Sequence, residues 1–131
     1  MPHGVFHDPR TAAVLVVDDL ASSRALMRTM LSGLSVEIAE AADGAAAFEL
    51  LLERRFDLVI TDLNMSPIDG GRLVLAAGLL SHDRRPKTMI CSADSHGADA
   101  AQRLALQMAD KIVPKPISAP SFVTAVCELL R

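Results

Sequence analysis

Short apolar, β-branched runs alternate five times with longer stretches of helical periodicity, and this alternation limits the fold more than any other feature of the chain. The runs are VLVV (14–17), VEIAE (36–40), DLVIT (57–61), KTMIC (87–91) and KIVP (111–114). Three are near-continuous in apolar residues, as strands covered on both faces are. The run from Val36 alternates instead, the pattern of an edge strand. Between the runs lie five predicted helices. In SSRALMRTMLSGL (22–34), Leu26, Met27, Met30, Leu31 and Leu34 are expected to share one buried face. Asp43 and Asp69 are placed to cap the next two helices. Asp94 or Ser95 is expected to start the fourth, and Ser118 the last, with Pro120 in its first turn. Five strands alternating with five helices imply parallel strands, right-handed crossovers and an α/β three-layer sandwich.

A single domain accounts for 131 residues. The reading places residues 1–12, rich in Pro, Gly and His without periodicity, as a flexible N-terminal extension, and residues 13–131 as the folded unit. Net charge is −3 with no basic stripe, and Trp and Tyr are absent. Direct nucleic-acid binding therefore lacks both its electrostatic footprint and its stacking platforms. No apolar run is long enough to span a membrane, and the N-terminus does not read as a secretory signal. Cys91 and Cys127 have no metal-ligand spacing and read as reduced core thiols of a cytoplasmic protein.

In an open parallel sheet, ligands bind beyond the carboxyl ends of the strands. Those ends carry Asp18 and Asp19, then Asp62, then Ser92, then Lys115-Pro116. Taken singly, each has a plain structural explanation: a cap, a turn hydroxyl, a surface lysine. Together, three carboxylates in one crevice repel unless a divalent cation lies among them. All-oxygen ligands suit Mg²⁺. A lysine and a hydroxyl beside a metal and a carboxylate are what phosphoryl transfer to that carboxylate needs.

The segments VLVVDD, DLVITDLNM followed by DG, CSA and PKP, in this order and spacing, resemble the receiver domain of bacterial two-component response regulators, from about residue 13 to the end. The resemblance implies a (βα)5 flavodoxin-like fold with strand order 2-1-3-4-5, as in chemotaxis regulators. It implies Asp62 as phosphoacceptor, Asp18 and Asp19 as the acidic pair organising Mg²⁺, and the Asn64 backbone carbonyl as a further metal ligand. Ser92 matches the switch hydroxyl and Lys115 the phosphoryl-binding lysine, with a cis bond to Pro116. The implied partners are a histidine kinase or His-phosphotransfer protein, met by helix one with Arg24 and Arg28, and a downstream effector protein or an output domain beyond this chain. No turnover of an external substrate is expected.

Three departures from the family pattern stand out. Ser66 occupies the position where proline is usual, with Pro67 following, so a changed loop geometry and phosphoryl lifetime are expected. Ile112 replaces the usual aromatic three residues before the lysine, so coupling through a swinging ring cannot operate, and the output is expected to travel either through the loops around Ser92 and helix four or by another surface. The last helix, SFVTAVCELL, is apolar nearly all round, which suggests a homodimer or another partner on its second face, unless its small residues leave a tolerable exposed surface. Rival readings are a receiver fold used for docking without phosphorylation and an aspartyl-phosphate phosphohydrolase. The second would place its nucleophile after strand one, with another acid two residues on. A flavodoxin-type cofactor carrier would need a phosphate-binding loop after strand one and aromatic residues.

Overall fold

The computed structural model describes residues 11–93 and 97–131. Five strands, β1 (Ala12–Val17), β2 (Val36–Ala41), β3 (Leu58–Asp62), β4 (Lys87–Ser92) and β5 (Lys111–Pro114), form one parallel sheet in the order 2-1-3-4-5. The alternating strand β2 lies at one edge. Five helices connect and follow the strands: α1 (Ala21–Met30), α2 (Gly44–Glu53), α3 (Gly70–Ala77), α4 (Ala100–Met108) and α5 (Ala119–Leu130).

The continuous apolar runs serve two cores at once, because successive side chains of a strand point to opposite faces. Val14 and Val16 join Leu58, Ile60, Met89 and Cys91 beneath α1 and α5, where Met27, Leu31 and Phe122 are buried. Leu15, Val17 and Val59 pack on the other face against Ala47 and Leu51 of α2 and Leu73 of α3. A third cluster, Leu63, Val74, Ile90 and Ala105, joins α3 to α4. Burying a Leu, Ile or Phe side chain is worth about 1.5–3 kcal/mol, so the central strands hold the sheet from both sides.

Asp43 and Asp69 cap as expected, accepting from the backbone N–H groups of Ala46 and Arg72. Asp94 and Ser95 lie outside the described residues. The cap of α4 is Asp99, which forms a reciprocal capping box with Gln102. Ser118 occupies the cap position of α5 but its side chain makes no capping bond. Leu26 departs from the expected apolar face of α1: it is 51% exposed, while Met27 and Leu31 are buried. The reason is angular. Leu26 sits one residue before Met27, so both cannot face the sheet squarely.

The last helix resolves its apolar excess inward. Phe122, Ala125 and Val126 are buried, and the residues it exposes include Ser121, Thr124 and Glu128. Among the described residues, none of the large apolar side chains left exposed belongs to α5. Leu104 and Met108 of α4 and Ile112 of β5 do belong to that exposed set.

Candidate functional site

The carboxyl ends of β1, β3, β4 and β5 converge, and they bring the predicted side chains together. Asp18 directly follows β1. It is 1% exposed, and its Oδ1 accepts from the Leu20 N–H at 3.0 Å. Arg24 of α1 braces the same turn by donating to the Asp18 carbonyl at 2.7 Å. Asp62 closes β3, where it pairs in register with Cys91 of β4. Ligand atoms of Asp18, Asp19 and Asp62 all lie within 4.8 Å of one another. Lys115 Nζ lies 3.4 Å from Asp62 Oδ1 and 3.6 Å from Asp18 Oδ2. Its backbone N–H donates to the Ser92 carbonyl at 3.0 Å, which ties the ends of β4 and β5. The Lys115–Pro116 bond is cis, as anticipated, and Ser66–Pro67 is cis as well.

The electrostatics follow from this crowding. Burial raises Asp62 above the ordinary carboxylate range and Asp18 adds to the rise, against the pull of Lys115 and of the Asn64 backbone N–H. Burial alone would lower Lys115, but Asp62 and Asp18 outweigh it and leave the ammonium above its ordinary value. Cys91, 1% exposed beside them, is pushed up to about 12, chiefly by burial. Among the described residues, two buried side-chain oxygens lack a hydrogen-bond partner: Asp18 Oδ2 and Ser92 Oγ. Buried polar atoms are rarely left so, and each such case calls for an explanation. An acidic oxygen facing Lys115 and a buried hydroxyl at the end of β4, neither of them hydrogen-bonded, fit a site completed by a cation and an anionic group. The donor set is hard oxygen without His or Cys, which suits a small divalent cation such as Mg²⁺.

The loop after β3 holds the site from the side. Gly70 begins α3 so close to β3 that a Cβ there would lie 1.8 Å from the Asp62 carbonyl oxygen. Its N–H donates to the Leu63 carbonyl at 2.9 Å. Gly44 of α2 approaches the same loop: a Cβ would meet the Ile68 carbonyl at 2.4 Å. Asn64, Asp19, Ser66, Asp69 and Gln102 line an open cleft of about 460 Å³. The Asn64 side chain accepts from Gln102 Nε2 at 3.2 Å. Gln102 is absent from the sequence reading, although the DAAQ spacing at 99–102 is a capping-box signature that marks both it and the true start of α4. Ile112 is 48% exposed on β5. Arg24 and Arg28 both bond Glu40 at the β2 edge. With the side chain of Arg24 only 17% exposed against 49% for Arg28, Arg28 is the more open of the two to a partner.

A doubly wound five-stranded parallel sheet, with an acid triad and a lysine across its strand ends, is the arrangement of a receiver module. The chain belongs to the response regulator receiver domain family, whose model matches residues 14–127. It is 31% identical over 119 residues to the transcriptional regulatory protein SrrA of Staphylococcus aureus, a match covering 90% of this chain and 47% of that protein. The chain thus spans about half the length of that curated relative. Among solved structures, it is similar to the response regulator protein TrrA from Thermotoga maritima, solved in complex with Mg²⁺ and BeF: 28% identity, TM-score 0.78, covering 91% of this chain and 99% of that one. A putative response regulator from Chloroflexus aurantiacus shares the fold at 22% identity and TM-score 0.79, with 92% and 98% covered.

Proposed function

We propose that the chain is the phosphoacceptor of a two-component or phosphorelay pathway, taking a phosphoryl group on Asp62 with Mg²⁺ bound by Asp18, Asp19, Asp62 and the Asn64 backbone carbonyl. The observation that carries this reading is the convergence of three carboxylates within 4.8 Å, with Lys115 3.4 Å from Asp62. The phosphoryl donor is the phosphohistidine of a histidine kinase or His-phosphotransfer protein, or a small acyl phosphate. An Asp62 oxygen forms the new P–O bond; the P–N bond to the donor imidazole, or the P–O bond to the carboxylate of an acyl phosphate, breaks, and its electron pair stays on that ring or carboxylate. A cation held there would supply charge neutralisation for the negative charge of the phosphoryl oxygens. Lys115 holds a fixed positive charge beside them, and Ser92 Oγ offers its unpartnered hydroxyl as a donor. Asp62 must be ionised to attack; burial opposes that ionisation, and the Lys115 ammonium beside it favours it.

The output is a change in the surface a partner sees, read by a downstream effector protein or by an output domain beyond this chain. Self-phosphorylation on Asp62, without turnover of an external substrate, is the whole of the chemistry in this reading. No helix among the described residues is long and apolar enough to cross a membrane, which accords with a cytoplasmic setting.

Incubation with acetyl phosphate and Mg²⁺, read by intact mass, tests the reading. One phosphoryl adduct is expected, absent without Mg²⁺ and absent in Asp62→Asn. An adduct that survives Asp62→Asn would assign the wrong acceptor. No adduct from either acetyl phosphate or a phosphorylated kinase would favour a docking module that is never phosphorylated.

A further inference from the structure

The cleft beside Asp62 contains a hydrogen-bond chain that the phosphoryl chemistry does not use. It begins at a group with only one possible polarity. The Asp99 backbone N–H can only donate, and Gln102 Oε1 accepts it at 3.0 Å. The other end of the Gln102 amide must then be its nitrogen, which donates to Asn64 Oδ1 at 3.2 Å. Asn64 lies two residues after Asp62, so the first turn of α4 is bonded to the acceptor loop. Gln102 is 9% exposed, and Gly71 of α3 packs on it so closely that a Cβ would lie 3.1 Å from its Cα. The helix cap returns to α3 through Arg72, which bonds Asp99 at 2.7 Å and also bonds Asp69. Through the Gly70 N–H, α3 is bonded in turn to Leu63 of the acceptor loop. The contacts form a closed ring: acceptor loop, α4, α3, acceptor loop.

We propose that Gln102 is a positioning residue that couples the acceptor loop to the first turn of α4, and that this link carries the response outward in a chain whose β5 presents Ile112. The inference rests on Asp62 being the phosphoacceptor. A nearly buried amide makes the link two-state, because a Gln102 nitrogen without its acceptor is costly. The loop and the helix turn therefore move together, or the bond breaks. The coupling is reciprocal. A cation and a phosphoryl group that reposition Asn64 shift α4, and a partner seated on α4 changes cation affinity at the acceptor loop.

Amide hydrogen exchange across residues 100–103 tests this in the full chain, with and without Mg²⁺ plus beryllium fluoride. Without ligand, Asn64→Ala leaves the capping box of α4 intact but removes the acceptor of Gln102. It should speed exchange in that turn roughly threefold to tenfold, the span of one ordinary hydrogen bond. Unchanged exchange would overturn the link, whatever the fate of phosphorylation. With ligand, the wild type should show altered exchange in the turn, and both Gln102→Leu and Asn64→Ala should lose most of that response. A purely structural Gln102 would raise exchange equally in the free and ligand-bound states and leave the Asn64→Ala response at the wild-type level. That outcome also overturns the proposal. Intact mass reports the acceptor reading separately: a wild type that takes no adduct from either acetyl phosphate or a phosphorylated kinase defeats that reading, while the ligand-free comparison still decides the link.

Discussion

Asp62 is held in a destabilising state, and the pH dependence of the fold should report it. Burial and Asp18 keep its carboxyl above the ordinary range, so the folded chain holds that proton to higher pH than the unfolded chain does. Stability linked to this group is full at low pH and falls as pH rises from about 4 through the raised value. Asp62→Asn removes the dependence. In cation-free buffer at pH 7 the variant should melt higher than the wild type. The gap should close below about pH 4. Melting curves across pH with chelator present would check this, and a variant that melts lower at pH 7 would contradict the electrostatic account. Added Mg²⁺ should shrink the gap by stabilising the wild type selectively.

At the scale of single elements, the junction between β3 and α3 is the tightest point near the site. Gly70→Ala would drive a Cβ into the Asp62 carbonyl, whereas a Cβ at Gly33 meets nothing within 4 Å. Chemical denaturation should show Gly70→Ala losing at least about 2 kcal/mol and Gly33→Ala staying within about 0.5 kcal/mol of wild type. The elements themselves were legible because each depends on a local pattern. Continuous apolar runs mark β1, β3 and β4, an alternating run marks β2, and Asp43 and Asp69 mark two helix starts. What escaped depends on approach in three dimensions. No spacing in the sequence announces that Gly70 touches Asp62, or that Gln102 reaches Asn64 across thirty-eight positions. The start of α4 was readable, since Asp99 and Gln102 carry the capping-box spacing, but the nearer Asp94 and Ser95 offered the same residue types. Leu26 was misjudged because a helix face inferred from five apolar residues is wider than the sheet can cover.

Across the whole molecule, chemistry gathers at one pole of the sheet, while Leu104 and Met108 of α4 and Ile112 of β5 are among the large apolar side chains left exposed. The strand-end constellation was legible because topology forces every parallel strand to end on the same side, so acids distant in sequence had to meet. Apolar content alone does not say which way a helix turns its side chains. The exposed positions of α5 include the polar Ser121, Thr124 and Glu128, while Phe122, Ala125 and Val126 are buried. Light scattering at high concentration is expected to return a monomer for this chain. A dimer that Thr124→Arg dissolves would restore a contact through the last helix.

Under the proposed phosphorylation of Asp62, Cys91 carries a consequence for how long the phosphoryl group lasts. An aspartyl phosphate is an activated mixed anhydride, open to attack by soft nucleophiles as well as by water. Cys91 stands in register with Asp62, a hazardous neighbour for such a bond. With its pKa near 12, only roughly one molecule in 10⁵ carries the thiolate at pH 7. Iodoacetamide should therefore alkylate the partly exposed Cys127 and spare Cys91 until the chain unfolds, which peptide mass mapping would show. Packing that serves the core thus also disarms the sulfur, and leaves hydrolysis or a partner protein to end the message.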